Sequence, residues 1–277
     1  MATPILTRLE LPGVLGDILV DVRTGDRRSD RPAVIILPGF KGFRDFGPFP
    51  ALAERLARAG FTSVAVSVSG SGVDAGGEFT RLERFAANTI SAELGDLGVL
   101  LDALDSGALG VARPRTVGLV GHSRGGGVGL LFALGAPRIA ALATWAATGT
   151  LVRWTPEQAR EWRRLGRTEV LNGRTGQLLP LGTDLLDDVE ANLDRFDLSG
   201  AAGKLTIPWL LAHGTADETV PIAEGRRLAE AARAPLTTLW LDGALHAFGS
   251  THPFAGMTPH LSALFGATLD HFTRHLG

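Results

Sequence analysis

The chain has 277 residues, 45% of them hydrophobic and 20% charged, with a net charge of −2. It is long enough to bury a sizeable core, and its charge exerts no pull towards nucleic acid or an anionic membrane. Cysteine and tyrosine are both absent, which removes disulfides, thiolate metal sites, a Cys nucleophile and any mechanism that needs a tyrosine hydroxyl.

Taken in order, LTRLELPG (6–13) and DILVDVR (17–23) predict an antiparallel hairpin at a sheet edge. Arg8 and Glu10 stand where a secretory signal would carry its apolar core, so the expectation is a cytoplasmic protein. No run of 18 apolar residues occurs, so no membrane span is expected. Then two patterns alternate. Apolar, β-branched runs lie at 32–39, 61–70, 116–123, 139–149, 207–217 and 236–246, and segments with helical spacing at 48–59, 88–105, 124–135, 221–233 and 257–275. Continuous apolar strands suit a sheet covered on both faces, and the alternation predicts a doubly wound, mostly parallel α/β sheet. Residues 150–204 are too long for an ordinary connection. They read as a small, partly helical cap inserted into a single domain that spans 1–277.

The segment LVGHSRGGG (119–127) asks whether its glycines cradle a phosphate or raise a nucleophile. A P-loop needs Lys followed by Ser or Thr, and a dinucleotide fingerprint needs G-x-G-x-x-G; neither register exists here. GSGVDAGG (70–77) resembles the latter weakly, but its third glycine falls one place late. Gly121-His122-Ser123-Arg124-Gly125 instead reads as G-x-S-x-G between a strand and a helix. A serine on so sharp a turn has unfavourable backbone angles, and glycines on either side let strand and helix approach. Gly126, Gly127 and Gly129 extend the run, which points to tight packing or to a backbone approached by a ligand. An idle serine on a glycine-rich corner is the bland alternative.

A serine hydroxyl needs a base, and the base needs a carboxylate. On this strand order the sequence should be Ser, acid, His. Asp217 closes the turn AHGTADETVP, and His246 follows the last strand in WLDGALHAFG. Both lie at C-terminal strand ends, where open α/β sheets bind ligands. Glu218 is the rival acid and His252 the second-choice base. His122 is expected to point away from Ser123 and pack, His213 to be buried and hydrogen-bonded, and His260, His271 and His275 to lie on the surface. The oxyanion donors are expected to be the N–H of Arg124 and that of Phe40, in the loop LPGFKGFRDFG (37–47) after the first parallel strand. Pro38 has no N–H and Gly39 lets the backbone turn. No His/Asp/Glu spacing suggests a metal, and no cofactor is expected.

Gly-His-Ser-Arg-Gly, His-Gly-Thr-Ala-Asp-Glu-Thr-Val-Pro and Leu-His246 in this order resemble the α/β-hydrolase superfamily. LPGFKGFRDFGPFP, RTGQLLPL and THPFAGMTP resemble bacterial serine hydrolases related to dienelactone hydrolases and prolyl-oligopeptidase-like esterases. The likeness runs from about residue 30 onward. It implies an ester hydrolase with Ser123, Asp217 and His246 as its triad. Two departures stand out. Dienelactone hydrolases use Cys as nucleophile, and the usual His-Gly of the oxyanion loop is Pro38-Gly39 here.

Fold does not fix function. Relatives that open epoxides use Asp at the nucleophile position and cap tyrosines, and oligopeptidases of this architecture use a Tyr hydroxyl; this chain has neither Asp at 123 nor any Tyr. Acyl transfer, hydrolysis of small amides or peptides, and a binding protein with a vestigial triad remain open. Phe43, Arg44, Trp154 and Trp162 are candidate substrate contacts, with a cap core or a surface ion pair as their plainer readings. The expected partner is a small-molecule ester, and a homodimer is only the base-rate expectation.

Overall fold

The computed structural model describes residues 3–277. Its elements, in chain order, are β1 (Ile5–Pro12), β2 (Asp17–Thr24), β3 (Ala33–Leu37), α1 (Phe49–Arg58), β4 (Thr62–Ser67), α2 (Leu82–Ala86), α3 (Ile90–Ser106), β5 (Val117–His122), α4 (Arg124–Gly135), β6 (Ile139–Trp145), α5 (Pro156–Leu165), β7 (Arg167–Leu171), β8 (Leu178–Gly182), α6 (Asp184–Ala191), α7 (Leu198–Lys204), β9 (Trp209–Gly214), α8 (Ile222–Ala231), β10 (Leu236–Leu241) and α9 (Pro259–Leu276). Eight strands form one sheet in the order β1-β2-β4-β3-β5-β6-β9-β10. β1 and β2 pair antiparallel, as do β2 and β4, and the other neighbours are parallel.

Successive side chains of the central strands feed opposite layers, as a pleat requires. Val34 and Ile36 join Val120, Ala143 and Trp145 against α1 and α9, through Leu52, Leu56, Leu264 and Phe272. Ile35 and Leu37 join Leu119 and Leu142 against α3 and α4. Burial on both faces is why these strands read as unbroken apolar runs.

Several helix ends are written in the sequence. Thr89 accepts a hydrogen bond from the Ala92 N–H to open α3, and Gly107, at φ 80°, closes it. Thr155 and Gln158 form a capping box before α5, with Pro156 at its start. Thr258 and Pro259 do the same work for α9.

Several boundaries differ from the sequence expectation, and the runs 61–70, 207–217 and 236–246 end as strands at Ser67, Gly214 and Leu241. The helical stretch 88–105 begins at Ile90, and a separate short α2 precedes it. The apolar run 139–149 leaves the strand at Trp145, because Ala146 adopts φ 46° and turns the chain.

Residues 150–204 contain α5, the antiparallel hairpin β7–β8, α6 and α7. Trp162, Leu179, Leu181, Leu186 and Val189 belong to the same apolar cluster as the α3–α4 layer. Side-chain hydrogen bonds tie this insert down: Ser91 N–H to Asp188 Oδ2 (2.9 Å), Gln177 Nε2 to Phe79 O (3.0 Å) and Lys41 Nζ to Leu171 O (3.1 Å). α7 packs on α4 and α8. No helix among the described residues is long and apolar enough to cross a membrane.

Candidate active site

β5 ends at His122 and α4 begins at Arg124, so Ser123 is the whole turn between them. Its backbone sits at φ 57°, ψ −123°, a region that costs a non-glycine residue about 1–3 kcal/mol. The surroundings hold it there. Ser123 N–H donates to Trp145 O at 2.9 Å, and Ser123 O accepts from Gly126, Gly127 and Thr148. The glycines are required by contact. A Cβ on Gly121 would lie 2.3 Å from Gly125 O, one on Gly125 2.2 Å from Pro38 O, and one on Gly126 2.6 Å from Ala147 Cβ. The glycine run is therefore explained by packing of strand, helix and loop.

Asp217 and His246 arrive on the turns after β9 and β10. These turns are stitched together: Thr215 N–H donates to Leu241 O (2.9 Å), Ala216 N–H to Ala244 O (3.1 Å) and Gly243 N–H to Thr215 Oγ1 (2.8 Å). His246 Nδ1 lies 2.8 Å from Asp217 Oδ2, and His246 Nε2 lies 3.0 Å from Ser123 Oγ. A carboxylate only accepts, so Nδ1 carries the proton and Nε2 offers its lone pair to the serine hydroxyl. The Asp217 side chain is fully buried, whereas Glu218 is exposed.

Burial alone would raise the Asp217 carboxyl, but donors outweigh it and hold the group well below the usual carboxylate range. The donors are His213, His246 and the Val220 N–H, with the Thr219 N–H also on Oδ1. His213 lies 2.8 Å from Val220 O and 3.4 Å from Asp217 Oδ2 through the same Nε2. Both partners only accept, so Nε2 bears the hydrogen. Its Nδ1 is buried without a partner, and a Cβ on Gly225 of α8 would come within 2.6 Å of it.

The other histidines sort as follows. His122 donates Nε2–H to His246 O at 3.1 Å, and its ring lies between those of Phe49 and His246. Desolvation there, with the His246 imidazole beside it, pushes its pKa down to about 3. His252 Nδ1 accepts from Gly47 N–H at 3.0 Å, and the ring stacks on Phe46. His271, expected on the surface, is buried instead, and its pKa is lowered to about 4 by burial and His275.

The loop after β3 runs alongside the elbow: a Cβ on Gly39 would lie 2.8 Å from Ser123 Cβ and 3.4 Å from its Oγ. Among the described residues, neither the Phe40 N–H nor the Arg124 N–H donates to another protein group. Both residues line the same cavity as Ser123.

A cavity of about 600 Å³ opens beside Ser123 and His246. Phe40, Arg124, Trp154 and Trp162 line it, with the two indoles edge to face at 5.6 Å. Trp162 also donates Nε1–H to Leu181 O at 3.0 Å, so it is both wall and cap core.

Phe43 and Arg44 do not line the cavity, which corrects the sequence expectation. The loop reverses after Gly42, whose N–H donates to Gly39 O at 2.9 Å. Phe43 turns into a cluster with Phe46, Phe79 and His252. Arg44 is 4% exposed and pairs with the fully buried Asp21 at 3.0 Å. Burial outweighs Arg44, Arg23 and Arg8, so the Asp21 carboxyl is pushed up. Lys41, Glu93 and Arg153 went unnoticed in the sequence. Lys41 and Arg153 line the cavity, and Glu93 pairs with Arg124. No group of three or more His, Asp or Glu that could hold a metal occurs among the described residues.

No protein-family model matches the chain, and no curated protein does. Solved structures match over 94–100% of the chain. Est1E from Butyrivibrio proteoclasticus with ferulic acid bound is 18% identical, with a TM-score of 0.71 over 94% of this chain and 95% of that one. A dienelactone hydrolase from Anabaena variabilis is 16% identical, with a TM-score of 0.65 over 100% of both. A monoacylglycerol lipase from Paleococcus ferrophilus is 18% identical, with a TM-score of 0.68 over 98% of this chain and 99% of that one. At 16–18% identity these likenesses are ones of backbone path, and by that path, its mostly parallel eight-stranded sheet and its flanking helices the chain has the α/β-hydrolase fold.

Proposed function

We propose that the protein is a serine hydrolase that cleaves carboxylic esters of small molecules through an acyl-enzyme, allied to the dienelactone-hydrolase-like esterases. One observation carries the reading: an unbroken hydrogen-bonded relay from Ser123 Oγ to His246 (3.0 Å) and on to Asp217 (2.8 Å), opening on a cavity. Esterases and a lipase among the structural neighbours support it.

His246 takes the Ser123 proton as Oγ attacks the ester carbonyl. Negative charge then gathers on the carbonyl oxygen, where the amides of Arg124 and Phe40 receive it. Asp217 keeps the imidazole in the Nδ1–H tautomer and balances its charge. His246 returns the proton to the leaving alcohol, and water activated by the same nitrogen releases the acyl group. The cavity falls within the roughly 300–1,000 Å³ range of small-molecule sites. Trp154 and Trp162 suit a flat or branched acyl group, and the neighbour holding ferulic acid makes esters of aromatic acids the first class to try.

The test is labelling by a fluorophosphonate, located by mass spectrometry, beside a panel of p-nitrophenyl esters and esters of aromatic acids. Labelling should fall on Ser123. Ser123→Ala should lose both the label and about 10⁴-fold or more of the turnover while still unfolding cooperatively. A variant that hydrolyses as fast as the parent would end the proposal.

A further inference from the structure

Resting on that reading, we infer that Glu93 and the Arg124 side chain are positioning residues that set the spacing of the two oxyanion amides by clamping the Phe40 ring. The Arg124 amide is fixed by the elbow itself, because its residue opens α4 directly after Ser123. Phe40 has no such backing. It lies beyond the end of β3, and among the described residues its N–H is not spent on another protein group. Its side chain supplies what the backbone lacks. The Arg124 guanidinium lies 4.5 Å from the Phe40 ring centroid, and Phe85 closes on that ring at 5.4 Å.

Glu93 holds the guanidinium in place. Its side chain, 4% exposed, accepts from Arg124 Nη2 at 2.5 Å and from Asn88 Nδ2 at 2.7 Å on the same oxygen. Among the described residues this is the only hydrogen bond the guanidinium makes, and Arg124 Nε is buried without a partner. A buried pair of this kind adds little net stability, so its worth lies in geometry. α3, the elbow and the oxyanion loop are thereby locked by one planar group. A planar cation satisfies a carboxylate and stacks on an aromatic face at the same time, which lysine does not. Displacing one donor by a fraction of its hydrogen-bond length weakens only the state in which the oxygen is charged.

The experiment compares Glu93→Gln, Arg124→Met and the double variant with the parent. It measures kcat and KM for p-nitrophenyl acetate, and Ki for a trifluoromethyl ketone whose adduct places an O⁻ between the two amides. Each single variant should lose about 10- to 100-fold in kcat, less than the roughly 10²–10³ of losing a donor outright. KM should stay within about twofold, and Ki should rise by the same factor as kcat falls. The double variant should be no worse than Arg124→Met by more than about threefold, because the two residues act as one unit. Arg124→Lys should not restore the rate. If Glu93→Gln fails to fold, Phe40→Leu, which keeps the amide and strands no charge, should reproduce the kcat loss.

A loss confined to KM, with kcat and Ki unchanged, would overturn the inference and make Arg124 a substrate contact. Losses that multiply in the double variant, or parental kinetics in either single one, would overturn it too. The two proposals fail separately. A parent that takes no fluorophosphonate and cleaves no ester sinks both, whereas an active parent whose variants match it sinks only the clamp.

Discussion

The sheet side of the cavity and the insert side are held by different means. On the sheet side, added methyls at Gly121, Gly125 and Gly214 would meet backbone atoms at 2.1–2.3 Å, so the turns bearing Ser123, Asp217 and His246 have no slack. On the insert side, Gly173 and Gly176 have open space around them, and α5 is fastened through exposed pairs such as Arg163 with Asp187 and Glu190. Exposed pairs of this kind are screened by water and hold weakly. Backbone-to-backbone contact fixes Ser123, Asp217 and His246, while side chains that substitution can exchange shape the cavity.

The strongest blow to the rigid side is Asp217→Asn. It should cut kcat by about 10³–10⁴-fold, since the amide favours the wrong imidazole tautomer, while Glu218→Gln leaves kcat alone; ester hydrolysis by both variants decides it. Next comes Arg44→Met, expected to cost about 3 kcal/mol by removing the nearest partner of the buried Asp21 and leaving it only Arg23 at 3.4 Å and Arg8 at 3.6 Å. The sign with pH follows from the raised Asp21 carboxyl. A folded pKa above the unfolded one means the folded state takes up the proton first, so the penalty is full at high pH and eases as pH falls. Denaturant melts at pH 5 and pH 8 should show the larger loss at pH 8, with KM at neutral pH unaltered. Gly125→Ala, by pressing a methyl onto Pro38 O, should cost about 3 kcal/mol. Gly173→Ala, in open space, should stay within about 0.5 kcal/mol. Equal melting shifts would erase the contrast between the two sides. On the substrate side, Trp154→Ala should raise KM about tenfold for an ester of an aromatic acid and little for an acetate.

What was legible in the sequence was what the backbone writes locally. Strands buried on both faces leave apolar runs, and the elbow leaves glycines on either side of Ser123. What was hidden depends on direction in space. Phe43 and Arg44 follow Phe40 within four positions, yet the turn at Gly42 sends them away from the cavity. The hairpin β7–β8 offered little signal because one face of it lies exposed, including Leu171 and Leu178. Glu93 did leave a trace. It stands one turn before Leu97 on the buried face that continues through Leu100 and Leu104, where a charge has no place without a partner.

The bond from His122 Nε2–H to the carbonyl of His246 joins the residue before Ser123 to the segment after β10. Because that ring stays neutral down to about pH 3, the fastening neither loosens nor gains charge on mild acidification. The segment after β10 that bears the His246 imidazole is thereby tied to the turn that bears Ser123, so a displacement of one is passed to the other.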